Sequence, residues 1–128
     1  MRLWMFAIFG SLLWLPLALA EDQPQPIGPA EAAEKVNQDV TLQMEVKSAA
    51  LRESACFLNS EEDFKDAKNF TIFIDKETLA KFKEAKIDDP AAHFKGKTVQ
   101  VTGKVTLYRD RPQIKLSGPD AVKVVEKK

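Results

Sequence analysis

The chain has 128 residues, of which 45% are hydrophobic and 30% are charged, and its basic and acidic residues balance at nineteen each. This length is enough for one small domain. The neutral balance excludes a strongly basic protein that would bind polyanions by net charge alone, and a single cysteine excludes an internal disulfide.

The first twenty residues have the pattern of a secretory signal peptide. Arg2 supplies a positive start, residues 3–15 are apolar, and Ala18-Leu19-Ala20 is typical of a cleavage site. Charged residues follow at once, so the apolar segment is too short for a transmembrane anchor. We therefore expect an exported chain of residues 21–128, periplasmic or secreted, without a membrane span.

Charge is unevenly distributed along the exported chain. Residues 21–94 hold nine Lys or Arg against sixteen Asp or Glu, a net charge of −7, whereas residues 95–128 hold nine against three, a net charge of +6. Cys56 lies between apolar neighbours in the segment ACFL, which favours a small buried hydrophobic residue over a reactive thiol.

Residues 21–28, rich in Pro and Gln, are typical of a flexible leader. Pro29 then begins a short N-terminal helix, and helical spacing in residues 76–86 predicts a second helix with a further turn reaching Phe94. Alternation of apolar and polar residues predicts the strands. In chain order these cover residues 40–46, 52–59, 70–74, 99–107 and 114–116, with Val122 and Val124 closing the chain.

The fourth predicted strand is the clearest of the five. Its interior face consists of Val99, Val101, Val105 and Leu107. Gly103 interrupts this face, as glycine does where a strand bends sharply. Five strands with a helix between the third and fourth predict a mainly β protein, a five-stranded Greek-key barrel of the OB-fold type over residues 29–125.

The segments IGPAEAAEKVNQDVTLQMEV, FLNSE, FTIFI and FKGKTVQVTGKVTLYRDRPQIKL resemble exported bacterial OB-fold domains of the nucleic-acid-binding superfamily. The resemblance covers residues 27–125, and it is most specific in the run from Gly96 to Ile114. Members of this superfamily usually carry glycine in the turn before R-P-Q-I, where this chain has Asp110. The resemblance implies a binding module for an extended ligand such as single-stranded nucleic acid.

The residues offer little for catalysis. His93 is the only histidine and Cys56 the only cysteine, so a zinc site lacks ligands. The acidic groups at residues 61–63 and 88–89 lack the spacing of a calcium-binding loop. We therefore expect no enzymatic activity, no metal and no cofactor.

OB folds bind extended ligands across strands two and three and the loops between strands one and two and between strands four and five. In this chain that surface covers Lys47 to Arg52, Phe57, Asn59, Thr71, Phe73 and Tyr108 to Gln113. The candidate ligand-binding residues within it are Arg52, Phe73, Tyr108, Arg109, Arg111 and Gln113.

Each part of this candidate site has an alternative interpretation. Phe73 is predicted to face outward, where it either stacks a base or covers a helix or a partner edge. Arg109 and Arg111 flank a turn, where they either bind phosphate or pair with Asp110 and other acids. The second functional hypothesis is accordingly a structural module of the cell envelope that binds a protein or a glycan. In either case we expect a monomer.

Overall fold

The computed structural model describes residues 25–125. The predicted signal peptide, residues 1–20, and the first residues of the predicted leader lie outside this range. None of the helices in the described range is long and apolar enough to cross a membrane.

Seven strands, three short α-helices and one 3-10 turn form the described part of the chain. In chain order they are α1 (Pro29–Ala33), β1 (Asp39–Glu45), β2 (Ser48–Arg52), β3 (Ala55–Asn59), β4 (Thr71–Asp75), α2 (Lys76–Glu84), α3 (Pro90–Phe94), β5 (Thr98–Tyr108), β6 (Arg111–Lys115), the 3-10 turn (Pro119–Ala121) and β7 (Val122–Val125). The predicted N-terminal helix is confirmed as α1 and the predicted helix between strands as α2.

The strands form one sheet whose hydrogen-bonded order is β1-β5-β6-β4-β3-β2, with β7 pairing to β5. The β4–β6 pair is parallel and the other paired strands are antiparallel. The outermost strands of this order, β1 and β2, are separated in the chain by only Val46 and Lys47. The Val46 N–H donates to the Lys97 carbonyl and the Lys47 N–H to the Asn59 carbonyl, at 2.9 Å each. Between these two residues the backbone therefore changes its hydrogen-bonding partner, from the residue that precedes β5 to the last residue of β3.

The predicted count of five strands is wrong, because the described residues contain seven. Residues 48–52, expected in a loop, form β2 and pair with β3 across the short turn at Glu53 and Ser54. Residues 122–125 add a further strand on β5. The mainly β architecture with a helix between β4 and β5 remains OB-like.

The end of the predicted flexible leader is anchored to the sheet. Ile27 forms an isolated parallel bridge with Leu42. Its N–H donates to the Thr41 carbonyl at 2.9 Å, and its own carbonyl accepts from the Gln43 N–H at 2.8 Å. Backbone pairing therefore joins Ile27 to β1.

The inner faces of the strands and one face of α2 enclose a single apolar core. Its largest fully buried side chains are Phe70, Phe82, Leu42, Leu58, Ile72, Ile74, Ile114 and Leu116. Leu107, predicted to face inward, is 52% exposed. The reason is that β5 continues past the core into the tip of its hairpin with β6.

Gly103 of β5 lies against the side chain of Ile114 in β6. A Cβ at this position would meet the Ile114 Cγ2 atom at 2.7 Å, which is closer than carbon atoms pack. A side chain here would therefore require the Ile114 side chain to move.

Candidate functional site

A cleft of about 340 Å³ opens on the outer face of the sheet beside the β5–β6 hairpin. Its wall combines apolar and aromatic side chains with amides and guanidinium groups. The lining residues are Ala50, Arg52, Phe57, Asn59, Phe64, Thr71, Tyr108, Arg111, Pro112 and Gln113.

Strand register brings most of these residues together. Ala50 of β2 pairs with Phe57 of β3. Asn59 of β3 pairs with Thr71 of β4, which in turn pairs with Gln113 of β6. Their neighbours along β3 and β4 are core residues that face inward, so strand alternation directs this row to the outer face.

Aromatic side chains dominate the cleft. Phe64 and Tyr108 are 59% and 58% exposed, which is unusual for rings of this size. Phe57 is half-buried, and its ring centroid lies 5.4 Å from that of Phe73 on the paired strand. The cleft thus has exposed aromatic surface on two sides and a third ring held by packing.

Arg111 has its guanidinium engaged within the protein. Its Nη1 donates to the carbonyls of Phe64 and Asp66 at 3.1 and 3.4 Å, and its Nη2 to that of Lys65 at 3.2 Å. The side chain thereby attaches the loop of residues 60–69 to the hairpin. It positions Phe64 at the cleft, and fewer of its N–H groups remain for an anion.

The other two predicted arginines are exposed. Arg52 ends β2 and lines the cleft. The Arg109 guanidinium carbon lies 5.3 Å from the centroid of the Tyr108 ring, within the range of a cation–π contact. Arg109 therefore stands next to the cleft opening and supports the ring that lines it.

Four of the six predicted site residues thus line the cleft, namely Arg52, Tyr108, Arg111 and Gln113. Phe73 and Arg109 each contact a lining residue without lining the cleft themselves. The sequence analysis did not select Phe64, which lies in the segment between the predicted strands of residues 52–59 and 70–74. A single phenylalanine among charged loop residues was the signal that could have found it.

Cys56 is a buried free thiol that does not line the cleft. Burial raises the pKa of the Cys56 thiol to about 12, with a further contribution from the charge of Asp89. Between residues 25 and 125 no three His, Cys, Asp or Glu side chains are grouped as a metal site would require.

No protein-family model matches this chain, and no curated protein matches it in sequence. Solved structures do match it in fold. A structure from Leishmania major Friedlin, described as an aspartyl-tRNA synthetase, aligns over 96% of this chain with a TM-score of 0.56 and 13% identity. The asparaginyl-tRNA synthetase of Pyrococcus horikoshii aligns over 81% with a TM-score of 0.54 and 15% identity.

The aspartyl-tRNA synthetase of Entamoeba histolytica gives a TM-score of 0.55 at 14% identity over 84% of this chain. This chain spans only about a quarter of the length of these enzymes, between 22% and 24%. At such low identity the likeness establishes the fold alone. The chain is therefore similar to one OB-like portion of these synthetases.

Proposed function

We propose that this protein is a non-catalytic module that binds single-stranded nucleic acid across the outer face of β2, β3 and β4 and the β5–β6 hairpin. The observation that carries the proposal is the cleft, where Phe57, Phe64 and Tyr108 present aromatic surface between two arginines. Stacking of a base on such a ring contributes about 1–3 kcal/mol and tolerates any sequence.

The position of the cleft in the fold supports this proposal. We infer that β1 and β2 act as two halves of one bent strand that closes an OB-type barrel. The cleft then lies over the central strands and beside the hairpin loop, where OB folds bind oligonucleotides and oligosaccharides. The structurally similar proteins are, by their names, enzymes that act on tRNA.

The charge of the site supports weak binding that depends modestly on salt. Residues 21–128 carry a net charge of −1, so net charge adds nothing to the attraction for phosphate. Arg52 and Arg109 are the arginines near the cleft whose guanidinium groups make no hydrogen bond or ion pair with a side chain or carbonyl of residues 25–125. Two phosphates neutralised on a single strand would give a salt slope of about 1.4 in log–log terms.

Binding of a short fluorescent oligo(dT), followed by anisotropy, tests the proposal. We expect binding that weakens with salt, and weaker binding to a duplex whose bases are not available for stacking. Phe64→Ser should reduce the affinity about tenfold or more, because it removes one stacking surface. Leu107→Ser is the matched control, since Leu107 is similarly exposed but does not line the cleft.

Equal affinities of the two variants, or no binding of any oligonucleotide, would overturn this function. The second hypothesis, a protein- or glycan-binding module of the cell envelope, would then take its place.

The proposal includes export, with cleavage after Ala20, to the periplasm or the medium. Intact-mass measurement of the protein recovered from bacterial fractions checks this. A mature chain beginning at Glu21 outside the cytoplasm is the expected result, and a full-length chain retained in the cytoplasm would contradict it.

A further inference from the structure

The floor of the cleft contains a buried amide with an unused donor. Asn59 is only 5% exposed yet lines the cleft. Its Oδ1 accepts hydrogen bonds from Asn69 Nδ2 at 3.2 Å and from Thr71 Oγ1 at 3.0 Å. Among residues 25–125, no hydrogen bond is donated by its Nδ2.

The orientation of this amide is fixed by a backbone group. The Glu61 N–H, which can only donate, points at Asn69 Oδ1 at 3.2 Å. Asn69 must therefore turn its Nδ2 toward its neighbours, where its two hydrogens are shared among Asn59 Oδ1, Thr71 Oγ1 and the Phe64 carbonyl. Because Asn59 has to accept that bond with its oxygen, its NH₂ group is left for the cleft.

A ligand that covers the cleft must satisfy this donor. An unpaired buried amide donor costs about as much as a lost hydrogen bond, so covering Asn59 with an apolar group is unfavourable. The surrounding wall is aromatic, which favours a planar ring. The ligand therefore needs a flat ring with an acceptor on its edge.

We propose that the cleft holds one nucleobase through a ring carbonyl oxygen that accepts from Asn59 Nδ2, while Phe64 or Tyr108 contacts the face of the ring. Gln113, also in the lining, offers an amide to the same edge of the base. Thymine and uracil carry two ring carbonyls, cytosine and guanine one each and adenine none, so a site that reads a carbonyl oxygen favours thymine and uracil over adenine. This inference rests on the proposed function and adds a base preference to it.

The test compares affinities for oligo(dT) and oligo(dA) in the wild type and in Asn59→Asp. This substitution retains the oxygen that accepts from Asn69 and Thr71 and replaces the donor in the cleft by an acceptor. We expect affinity for oligo(dT) to fall about tenfold more than affinity for oligo(dA), the effect of losing one hydrogen bond to a buried group. Repulsion by the added charge would weaken both oligonucleotides equally.

Gln43→Glu is the matched control, because it makes the same amide-to-acid change on β1, away from the cleft. It should leave the ratio of the two affinities unchanged. Melting temperatures of both variants show whether they fold. In ¹⁵N-labelled wild-type protein, the Asn59 side-chain NH₂ signals should shift and exchange more slowly on addition of oligo(dT), a result that requires no variant.

An equal loss of affinity for oligo(dT) and oligo(dA) in Asn59→Asp, or unchanged Asn59 NH₂ signals in saturated protein, would overturn the base preference while leaving nucleic-acid binding in place. Failure of the wild type to bind either oligonucleotide would overturn both proposals. Competition by a neutral oligosaccharide for the same Asn59 signals, without oligonucleotide binding, would assign the cleft to a glycan instead.

Discussion

Arg111 illustrates how one residue type serves two purposes. In sequence it is an anion-binding candidate beside a turn, whereas in the structure its guanidinium donates to three carbonyls of the loop of residues 60–69. The forked guanidinium suits this arrangement, because it presents several N–H groups in fixed directions, whereas a lysine ammonium is a compact charge on a flexible stem. Arg111 therefore acts on the cleft mainly by holding Phe64 in place.

Arg111→Lys should release this loop even though the charge is retained. We expect faster amide hydrogen exchange in residues 60–69 and a loss of about 1 kcal/mol in the free energy of unfolding. Arg109→Lys, at the neighbouring exposed position, is the control and should leave exchange in the loop unchanged. Normal protection of the loop in Arg111→Lys would show that the hydrogen bonds contribute nothing to its order.

Cys56 should be unreactive toward thiol reagents in the folded protein. Its side chain is fully buried, so a reagent cannot reach the thiol. Its pKa is raised to about 12, so at pH 8 almost none of the thiol is ionised to the reactive thiolate. We expect an aromatic disulfide reagent to react only as fast as the protein unfolds, and addition of urea should accelerate the reaction. Rapid labelling of folded protein without urea would contradict the buried position.

At the scale of elements, the β5–β6 hairpin carries a local strain. Arg109 and Asp110 both have positive φ, at 52° and 66°. Two consecutive residues of positive φ match the two-residue hairpin turn that favours Asn-Gly or Asp-Gly. This chain instead has Arg-Asp in its turn, and both side chains are held in a conformation that L residues adopt at a cost.

Asp110→Gly should raise the free energy of unfolding by about 0.5–1 kcal/mol, because glycine adopts this φ without a steric penalty. It should also strengthen oligonucleotide binding, since a negative charge beside Arg109 is removed. Asp110→Asn separates the two effects by removing the charge while retaining a side chain. Chemical denaturation and anisotropy measure them, and a destabilised Asp110→Gly protein would contradict the backbone argument.

The start of α2 couples stability to pH. Asp75 accepts from the Thr78 N–H at 2.9 Å and lies 3.1 Å from Lys115 Nζ. The Thr78 hydrogen bond is the main cause that lowers the pKa of Asp75 below its usual 3.8, and Lys115 adds to it. A lowered folded-state pKa stabilises the protein above the unfolded value, and this contribution is lost as pH falls further.

Asp75→Asn retains a capping side chain but has no carboxyl to titrate. We expect the free energy of unfolding of the wild type to fall more steeply than that of Asp75→Asn as pH decreases below about 4. Parallel pH profiles of the two proteins would contradict this role. Asp75→Ala, which also removes the cap, should be less stable than Asp75→Asn by about 1 kcal/mol at neutral pH.

For the whole molecule, the periodicity of apolar residues predicted the mainly β class and the helix between β4 and β5. It missed β2, because the residues of Ser48–Arg52 are half-buried or exposed and show no alternation of buried and exposed positions. Four of the six predicted site residues line one cleft, because the alternation of side chains along a strand and the position of the hairpin turn determine their side of the sheet. The position of Phe64 and the hydrogen bonds of Arg111 depend on how the loop of residues 60–69 folds back over the sheet. Periodicity of apolar residues does not describe such a loop.

The pairing of β5 with three other strands also has a consequence for the order of folding. β5 pairs with β1, β6 and β7, and its partners in β1 lie between fifty-three and sixty-five positions earlier in the chain. Contacts between such distant positions slow folding, because a long loop must close before they form. During synthesis β1 therefore remains without this partner until residues 98–104 have emerged, and a fragment ending at Lys97 should stay unfolded by circular dichroism.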